Sequence, residues 1–143
     1  MTLKEHNIPL TQDEIAKLTA AATAVAANAY AAYSKFRVGA AVLLADGSVF
    51  AGCNVENASY RLTTCAEQAA VARAVSERGP GIRLRAVVIV NLNGTACEPC
   101  GACRQTLFEF GGTEAQVLFP GKGGQKQTTL GNLLPHGFHL AHE

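Results

Sequence analysis

The stretch LRAVVIVNL, from Leu84 to Leu92, is a nearly continuous run of apolar and mostly β-branched residues. A strand with one solvated face would alternate apolar and polar residues, whereas a run of this kind is typical of a strand covered on both faces. Helices are therefore expected above and below the sheet that contains this strand. The run predicts an α/β fold in which a mixed β-sheet has helices on both faces, a three-layer sandwich.

The segments before this run predict two further strands between two helices. Thr11 and Glu14 have the spacing of a capping box, and apolar residues recur after them at helical intervals. Asp46-Gly47 is a signal for a two-residue β-hairpin. The predicted elements are, in order, a helix at Gln12–Ala32, a strand at Arg37–Leu44, a strand at Ser48–Val55 and a helix at Cys65–Val75.

The segments after the run predict one more helix and one more strand. Pro99 precedes a helical pattern, and a short apolar run follows that pattern. The predicted elements are a helix at Cys100–Phe110, a strand at Ala115–Phe119 and a loop at Gly121–Gln127. No repeat or linker interrupts the order, so residues 1–143 are expected to form a single domain.

Composition and charge exclude several classes of function. Apolar residues make up 48% of the chain and charged residues 16%, which is the balance of a compact globular protein. The net charge is +1 and the basic residues are scattered, so the basic stripe of a nucleic-acid-binding protein is missing. The polar start and the short, interrupted Ala-rich run predict neither a signal peptide nor a membrane span. The sequence predicts a cytoplasmic protein with a small-molecule substrate, without nucleic-acid or membrane partners.

Three cysteines have the spacing and the positions of a metal site. Cys100 and Cys103 are three residues apart at the start of a predicted helix, where they share one face and where the helix dipole favours thiolates. Cys65 lies at the start of another predicted helix. Three thiolates leave the fourth zinc position open, as catalysis requires. Glu67 points away from Cys65 along the helix and can flank the metal as a proton carrier.

Two other interpretations of the cysteines stay open at this point. Cys97 and Cys100 form an overlapping CxxC pair, so Cys97 can complete a closed four-thiolate structural site in a protein without turnover. A thioredoxin-like redox pair is the other alternative, although it leaves Cys65 and Glu67 without a role. Cys53 falls in a predicted strand and is expected to pack as a small buried residue.

Four motifs in this order resemble one enzyme family. They are YSKFRVGAA at Tyr33–Ala41, GCNVENASY at Gly52–Tyr60, TCAE at Thr64–Glu67 and PCGACRQ at Pro99–Gln105. Over nearly its whole length the sequence is similar to the small, homotetrameric cytidine deaminases. Cysteine and glutamate motifs of this kind are also the general signature of zinc deaminases. The resemblance implies the corresponding fold, one zinc ion per subunit and a homotetramer.

The resemblance also implies a reaction and a set of site residues. The reaction is the hydrolytic deamination of cytidine and 2′-deoxycytidine to uridine and 2′-deoxyuridine, with release of ammonia, in pyrimidine salvage. The implied zinc ligands are Cys65, Cys100 and Cys103, with Glu67 as the catalytic proton shuttle. The implied substrate contacts are Phe36 at the sugar and base, Asn54 and Glu56 at the ribose hydroxyls, the Ala66 N–H at the pyrimidine carbonyl, and Tyr60 and Phe138 from a neighbouring subunit.

The chain departs from the family pattern beside the zinc ligands. Gln68 stands where an Arg often supports the thiolates, and its side-chain amide is expected to donate a hydrogen bond to a thiolate instead. Arg104 and Arg61 are the other candidates for that supporting role. Two rival substrates are a nucleoside antibiotic of the blasticidin type and a nucleotide within RNA. Asn54 and Glu56 favour a free ribose over either rival.

Overall fold

The long apolar run forms the central strand of a five-stranded sheet in the computed structural model, which describes residues 8–141. The strands are β1 (Val38–Leu44), β2 (Val49–Cys53), β3 (Leu84–Asn91), β4 (Gln116–Gly121) and β5 (Gly124–Thr129). Their order across the sheet is β2-β1-β3-β4-β5. Strands β3 and β4 are parallel, and the other neighbouring pairs are antiparallel. The sheet is therefore mixed, as predicted.

Helices cover both faces of this sheet. They are α1 (Gln12–Ala26), α2 (Ala66–Arg78), α3 (Gly101–Gly111) and the short α4 (Leu130–Leu133). On one face Leu18 and Ala22 of α1 are fully buried against the strands, and on the other face Ala70 of α2 and Leu107 of α3 are fully buried. The three-layer α/β sandwich is confirmed. Within residues 8–141, none of the helices combines the length and the apolar character that a bilayer span requires.

Two glycines bring the β1–β2 hairpin into backbone contact with a helix on each face. A Cβ atom on Gly39 would lie 2.0 Å from the carbonyl oxygen of Ala22 in α1. A Cβ atom on Gly52 would lie 2.4 Å from the backbone nitrogen of Ala70 in α2. Because no side chain separates these backbones, the position of α2 on the sheet is fixed closely, and the start of α2 carries several of the candidate site residues.

The first helix ends at Ala26, so the predicted end at Ala32 is wrong. The chain leaves the helix because its next residues pair with a distant segment. The N–H of Tyr30 donates to the carbonyl of Asn54 (3.0 Å), and the N–H of Glu56 donates to the carbonyl of Tyr30 (2.8 Å). This pairing is tertiary, so the helical periodicity of the Ala-rich segment does not reveal it.

The predicted loop at Gly121–Gln127 is also wrong, because β4 turns there into a hairpin with β5. Gly123 and Gly124 have positive φ angles of 81° and 133°, which glycine adopts without strain. Strand β5 is polar and exposed over most of its length, as suits an edge strand. Its sequence therefore lacks the apolar alternation that identifies a half-buried strand.

The first hairpin turns through three residues rather than the predicted two. The N–H of Leu44 donates to the carbonyl of Ser48 (2.9 Å), so residues 45–47 form the loop. Gly47, with a φ of 89°, supplies the left-handed position of that loop. The other predicted strands and helices differ from the observed ones only at their ends.

Candidate active site

Two helix N-termini bring three thiols together at one edge of the sheet. Cys65 is the N-cap of α2, Cys100 is the N-cap of α3, and Cys103 lies buried in the first turn of α3. The three sulfur atoms lie within 4.8 Å of one another, and the Cys65 and Cys100 Sγ atoms are 4.0 Å apart. All five cysteines are free. The predicted cluster is therefore present in the fold.

The spacing and chemistry of this cluster fit a zinc ion. Zinc–thiolate bonds of about 2.3 Å at tetrahedral angles place sulfur atoms about 3.8 Å apart, close to the distance between Cys65 and Cys100. Three thiolates leave one tetrahedral position for a reacting molecule. Cys97 lines the same cavity but does not belong to the three-sulfur group, which is the one such group among residues 8–141. The geometry thus argues against the closed four-thiolate site.

The pKa values of Cys65 and Cys103 are shifted in opposite directions. The pKa of Cys65 is lowered to about 7, because the Cys103 thiol donates a hydrogen bond to its sulfur. The pKa of Cys103 is raised because it is the donor of that bond and because it is buried. The backbone N–H of Gln68 also points at the Cys65 sulfur, as expected at a helix N-terminus. A bound metal ion replaces the remaining thiol protons.

Glu67 presents a buried carboxyl group to the same cavity. Its residue is 5% exposed, and it lies in the first turn of α2. Burial raises the pKa of Glu67, while hydrogen bonds to its own backbone and to Cys103 oppose the shift. A carboxyl group whose pKa is raised by desolvation holds a proton more readily than an exposed one, which suits a group that both accepts and donates protons. Glu67 therefore has the environment of a proton shuttle.

The cavity beside the cluster has a volume of about 200 Å³. That is smaller than the roughly 300–1,000 Å³ of sites that enclose a drug-sized ligand. The residues that line it are Phe36, Val38, Asn54, Thr63, Cys65, Ala66, Glu67, Ile89, Cys97, Glu98, Cys100 and Cys103. The cavity of one chain is therefore suited to a small ligand.

Asn54 and Ala66, two of the proposed substrate contacts, line the cavity. The Asn54 side chain is buried, donates from Nδ2 to the carbonyl of Phe36 (2.8 Å) and accepts at Oδ1 from the N–H of Val38 (2.9 Å). One amide hydrogen and one lone pair of Asn54 remain for another partner. Ala66 is the first residue of α2, where backbone N–H groups have no partner within the helix.

Glu56 does not line this cavity, although its sequence motif implies a contact with the sugar. Its carboxylate accepts hydrogen bonds from the N–H groups of Tyr33 (2.9 Å) and Ser34 (3.0 Å) and from the Ser34 hydroxyl. The Ser34 hydroxyl is the largest cause of a lowered pKa at Glu56. In the single chain, Glu56 holds the loop that leads to Phe36.

Tyr60 and Phe138 lie on the surface and away from the cavity. Tyr60 is 81% exposed and Phe138 is 67% exposed, and neither residue lines the site. The carbonyl of Phe138 accepts a hydrogen bond from Nε2 of Gln105 in α3 (2.8 Å). The structure therefore does not bring these two aromatic residues together with the cavity of their own chain.

The supporting residues beside the thiols act differently from the prediction. The Gln68 side chain accepts a hydrogen bond at Oε1 from the Cys65 N–H (3.2 Å), so this amide oxygen faces the backbone of Cys65. Arg104 donates to the carbonyls of Pro99 (2.8 Å) and Leu133 (2.9 Å) and lies near the carboxylate of Glu98. Arg104 thus braces the loop that precedes Cys100.

The sequence singles out only some of the residues that line the cavity. Thr63, Ile89 and Glu98 line the cavity, but none belongs to a recognised ligand pattern. Cys97 was considered only as a fourth thiolate. Cys53 was expected to be buried, whereas it is half-buried at the end of β2 and lies outside the thiol cluster. For Cys97 and Glu98, the sequence signal for a place in the cavity is that they lie next to the PCGAC motif.

Comparison with known proteins agrees with this geometry. Residues 12–119 match the sequence model of the family described as "Cytidine and deoxycytidylate deaminase zinc-binding region". The chain is 50% identical over 119 residues to the cytidine deaminase of Mycobacterium tuberculosis, covering 83% of this chain and 85% of that protein. It is 42% identical over 127 residues to the cytidine deaminase of Sporosarcina psychrophila, with coverages of 87% and 91%.

Solved structures show the same similarity in three dimensions. The crystal structure of cytidine deaminase from Mycobacterium tuberculosis aligns with a TM-score of 0.77 at 46% identity, covering 89% of this chain and 98% of that chain. The cytidine deaminase from Burkholderia pseudomallei aligns with a TM-score of 0.77 at 42% identity, with coverages of 86% and 98%. With its thiol cluster and buried glutamate, the chain belongs to the zinc-binding family of cytidine and deoxycytidylate deaminases.

Proposed function

We propose that this protein hydrolyses the amino group of cytidine and 2′-deoxycytidine, releasing ammonia and forming uridine and 2′-deoxyuridine in pyrimidine salvage. The observation that carries the proposal is the buried carboxyl group of Glu67 beside three thiols that fit one zinc ion. Family membership supports the same reaction. Residues 1–143 serve this activity as one domain.

The chain's own residues bind the metal and move the protons. A zinc ion held by Cys65, Cys100 and Cys103 supplies the Lewis acidity that makes a water molecule acidic near neutral pH. Glu67 accepts a proton from the attacking water and delivers it to the ring nitrogen beside the amino-bearing carbon. Glu67 then accepts the proton of the new hydroxyl group and delivers it to the departing amine. The carbonyl of uridine forms as ammonia leaves, so atoms and protons balance.

The cavity walls recognise the nucleoside in this proposal. Phe36 packs against the sugar and base, and the N–H of Ala66 donates to the pyrimidine carbonyl. Asn54 uses its free amide hydrogen or lone pair for a ribose hydroxyl. Glu56 accepts from a ribose hydroxyl outside the cavity lining, and its lowered pKa favours the ionised form that accepts hydrogen bonds.

Neighbouring subunits complete the site in the proposed homotetramer. The single-chain cavity is small, at about 200 Å³, and Tyr60 and Phe138 expose aromatic surface outside it. Further large apolar residues are exposed, among them Tyr30, Tyr33, Val55, Leu62 and Leu92. Burial of these residues in an assembly would remove them from water. We place the protein in the cytoplasm, where a reducing environment keeps a thiol cluster free.

Two measurements on the purified protein test the proposal. The first is zinc content per chain, for which we expect one ion. The second is ammonia release from cytidine, 2′-deoxycytidine, a cytidine-containing RNA oligonucleotide and a nucleoside antibiotic of the blasticidin type. We expect release from the two free nucleosides alone. A zinc-loaded protein that releases no ammonia from either nucleoside would refute the proposal, and light scattering that shows only monomers would refute the tetramer.

A further inference from the structure

Phe36 lies on an irregular segment whose conformation depends on contacts with other parts of the chain. Residues 35–37 have no regular secondary structure before β1 begins at Val38. Lys35 has a φ of 61°, in the left-handed region that residues other than glycine rarely adopt. Such a conformation persists only when surrounding contacts hold it in place. The position of Phe36 in the cavity wall therefore depends on contacts with its neighbouring backbone.

Two asparagine side chains hold this backbone from two sides. Asn54 binds the carbonyl of Phe36 (2.8 Å) and the N–H of Val38 (2.9 Å). Asn93 donates from Nδ2 to the carbonyl of Lys35 (3.1 Å) and accepts at Oδ1 from the N–H of Arg37 (3.2 Å). Asn54 thus binds residues 36 and 38, and Asn93 binds residues 35 and 37 on either side of Phe36. Asn54 also lines the cavity, whereas Asn93 does not.

The loop that carries Asn93 is itself well ordered by hydrogen bonds. Oδ1 of Asn91 accepts from the N–H groups of Asn93 (3.1 Å) and Thr95 (3.2 Å), and Nδ2 of Asn91 donates to the carbonyl of Thr95 (2.7 Å). The N–H of Leu92 donates to the carbonyl of Arg37 (3.0 Å). Because the Asn91 side chain fixes the turn from within, the Asn93 side chain is held ready for its two hydrogen bonds.

We propose that Asn93 is a positioning residue for nucleoside binding, which acts on the substrate only by holding Phe36 in the cavity wall. This inference rests on the proposed packing of Phe36 against the sugar and base. Asn93 is exposed and does not line the cavity, so it has no direct route to the substrate. Glu67 and the thiols lie on α2 and α3, which this contact does not reach. Loss of the Asn93 amide should therefore weaken binding and spare the chemical step.

Steady-state kinetics of Asn93→Ala test the proposal on the zinc-loaded protein. Losing two hydrogen bonds should raise KM roughly five- to tenfold, with kcat within about twofold of the parent. Zinc content should stay at the parent value, and the thermal unfolding midpoint should fall by only a few degrees. Asn93→Asp keeps the acceptor for the Arg37 N–H but loses the donor to Lys35. Its KM should therefore lie between those of the parent and of Asn93→Ala. The exposed Asn28→Ala is the matched control and should change neither parameter.

A double-mutant cycle with Phe36→Ala separates positioning from other effects. If Asn93 acts through Phe36, adding Asn93→Ala to Phe36→Ala should change KM less than twofold. Increases that multiply independently would overturn the proposal, and so would a normal KM in Asn93→Ala. A fall in kcat and zinc content together with the rise in KM would indicate a merely structural role and would overturn it as well.

The same variants distinguish this inference from the proposed substrate contacts. If Phe36→Ala raises KM while Asn93→Ala does not, only the positioning role fails. If Phe36→Ala leaves KM at the parent value, the proposed Phe36 contact fails, and the role of Asn93 falls with it. Loss of deaminase activity in the parent protein would instead refute the proposed function.

Discussion

The thiol cluster and the rim of the cavity are built in different ways. Cys65, Cys103 and Glu67 are placed by the first turns of two packed helices within one chain. Tyr60 and Phe138 lie on the surface, at 81% and 67% exposure, and do not reach the cavity of their own chain. The residues of the proposed chemical centre thus come together within a single chain, whereas the proposed binding rim would need a neighbouring subunit.

The largest effect is expected when one of the three thiols of the chemical centre is replaced, which tests whether each thiol is required for metal binding. Cys100→Ser should lose both zinc and activity, because a three-thiolate site has no replacement ligand. Cys97→Ser is the matched control: it changes a thiol in the same cavity that lies outside the three-sulfur group. Zinc content and ammonia release should stay near the parent values in that control. A zinc-free Cys97→Ser protein would contradict the three-thiolate site.

The next effect separates proton transfer from metal binding inside the same centre. Glu67→Gln keeps the shape of the side chain but cannot accept a proton, so kcat should fall by about a hundredfold or more. Bound zinc and the affinity for cytidine, measured by equilibrium titration, should be retained. Glu77→Gln, on the exposed surface of the same helix, should turn over at the parent rate. Near-normal turnover in Glu67→Gln would remove this residue from the mechanism.

A smaller effect is expected at the rim, and it should have a different kinetic signature. Phe138→Ala removes an aromatic surface from the proposed neighbouring site, so KM for cytidine should rise about tenfold while zinc content is unchanged. The exposed neighbour His139→Ala serves as the control. An unchanged KM in Phe138→Ala would mean that the rim is complete without this side chain and would weaken the contrast between the two regions.

The smallest effect concerns α1, on the sheet face opposite α2 and α3. Thr11 and Arg85 donate to the Glu14 carboxylate, and the Thr11 N–H is the largest cause of its lowered pKa. Glu14→Gln keeps the capping box but loses the charge pair with Arg85, which should lower the free energy of unfolding by roughly 0.5–1 kcal/mol. The unfolding midpoint at pH 7 should therefore fall by about 2 °C. Activity at 25 °C should not change, because both regions of the site lie elsewhere.

The pH dependence of that variant gives the sign of the charge effect. A carboxyl group whose folded-state pKa is lowered stabilises the fold above its ordinary pKa, which is 4.5 for Glu14. This contribution is lost as the pH falls through the folded-state pKa. The difference in unfolding midpoint between the parent and Glu14→Gln should therefore be present at pH 7 and disappear once the pH is below the folded-state pKa of Glu14. A difference that persists unchanged in acid would exclude the ion pair as its cause.

Local patterns in the sequence predicted the chemical centre better than its surroundings. The spacing of Cys100 and Cys103 and the Pro99 that precedes them predict a helix start with two thiols, because a helix start is a local structure. The end of α1 and the existence of β5 depend on pairing with backbone of other segments. Such pairing produces no periodic pattern of apolar residues in the sequence. The orientation of Gln68 was missed for a related reason: its amide can donate or accept, and the nearby Cys65 N–H decides the outcome.

The close approach of Gly52 to α2 also limits how this protein can evolve. Any side chain at Gly52 would meet the backbone of Ala69 and Ala70, so α2 would have to move and carry Cys65 and Glu67 with it. In a screen for activity, such a substitution would be scored as a catalytic defect although it never touches the substrate. New specificities are therefore more accessible through changes at the exposed rim than behind the metal centre, where selection must preserve a backbone contact.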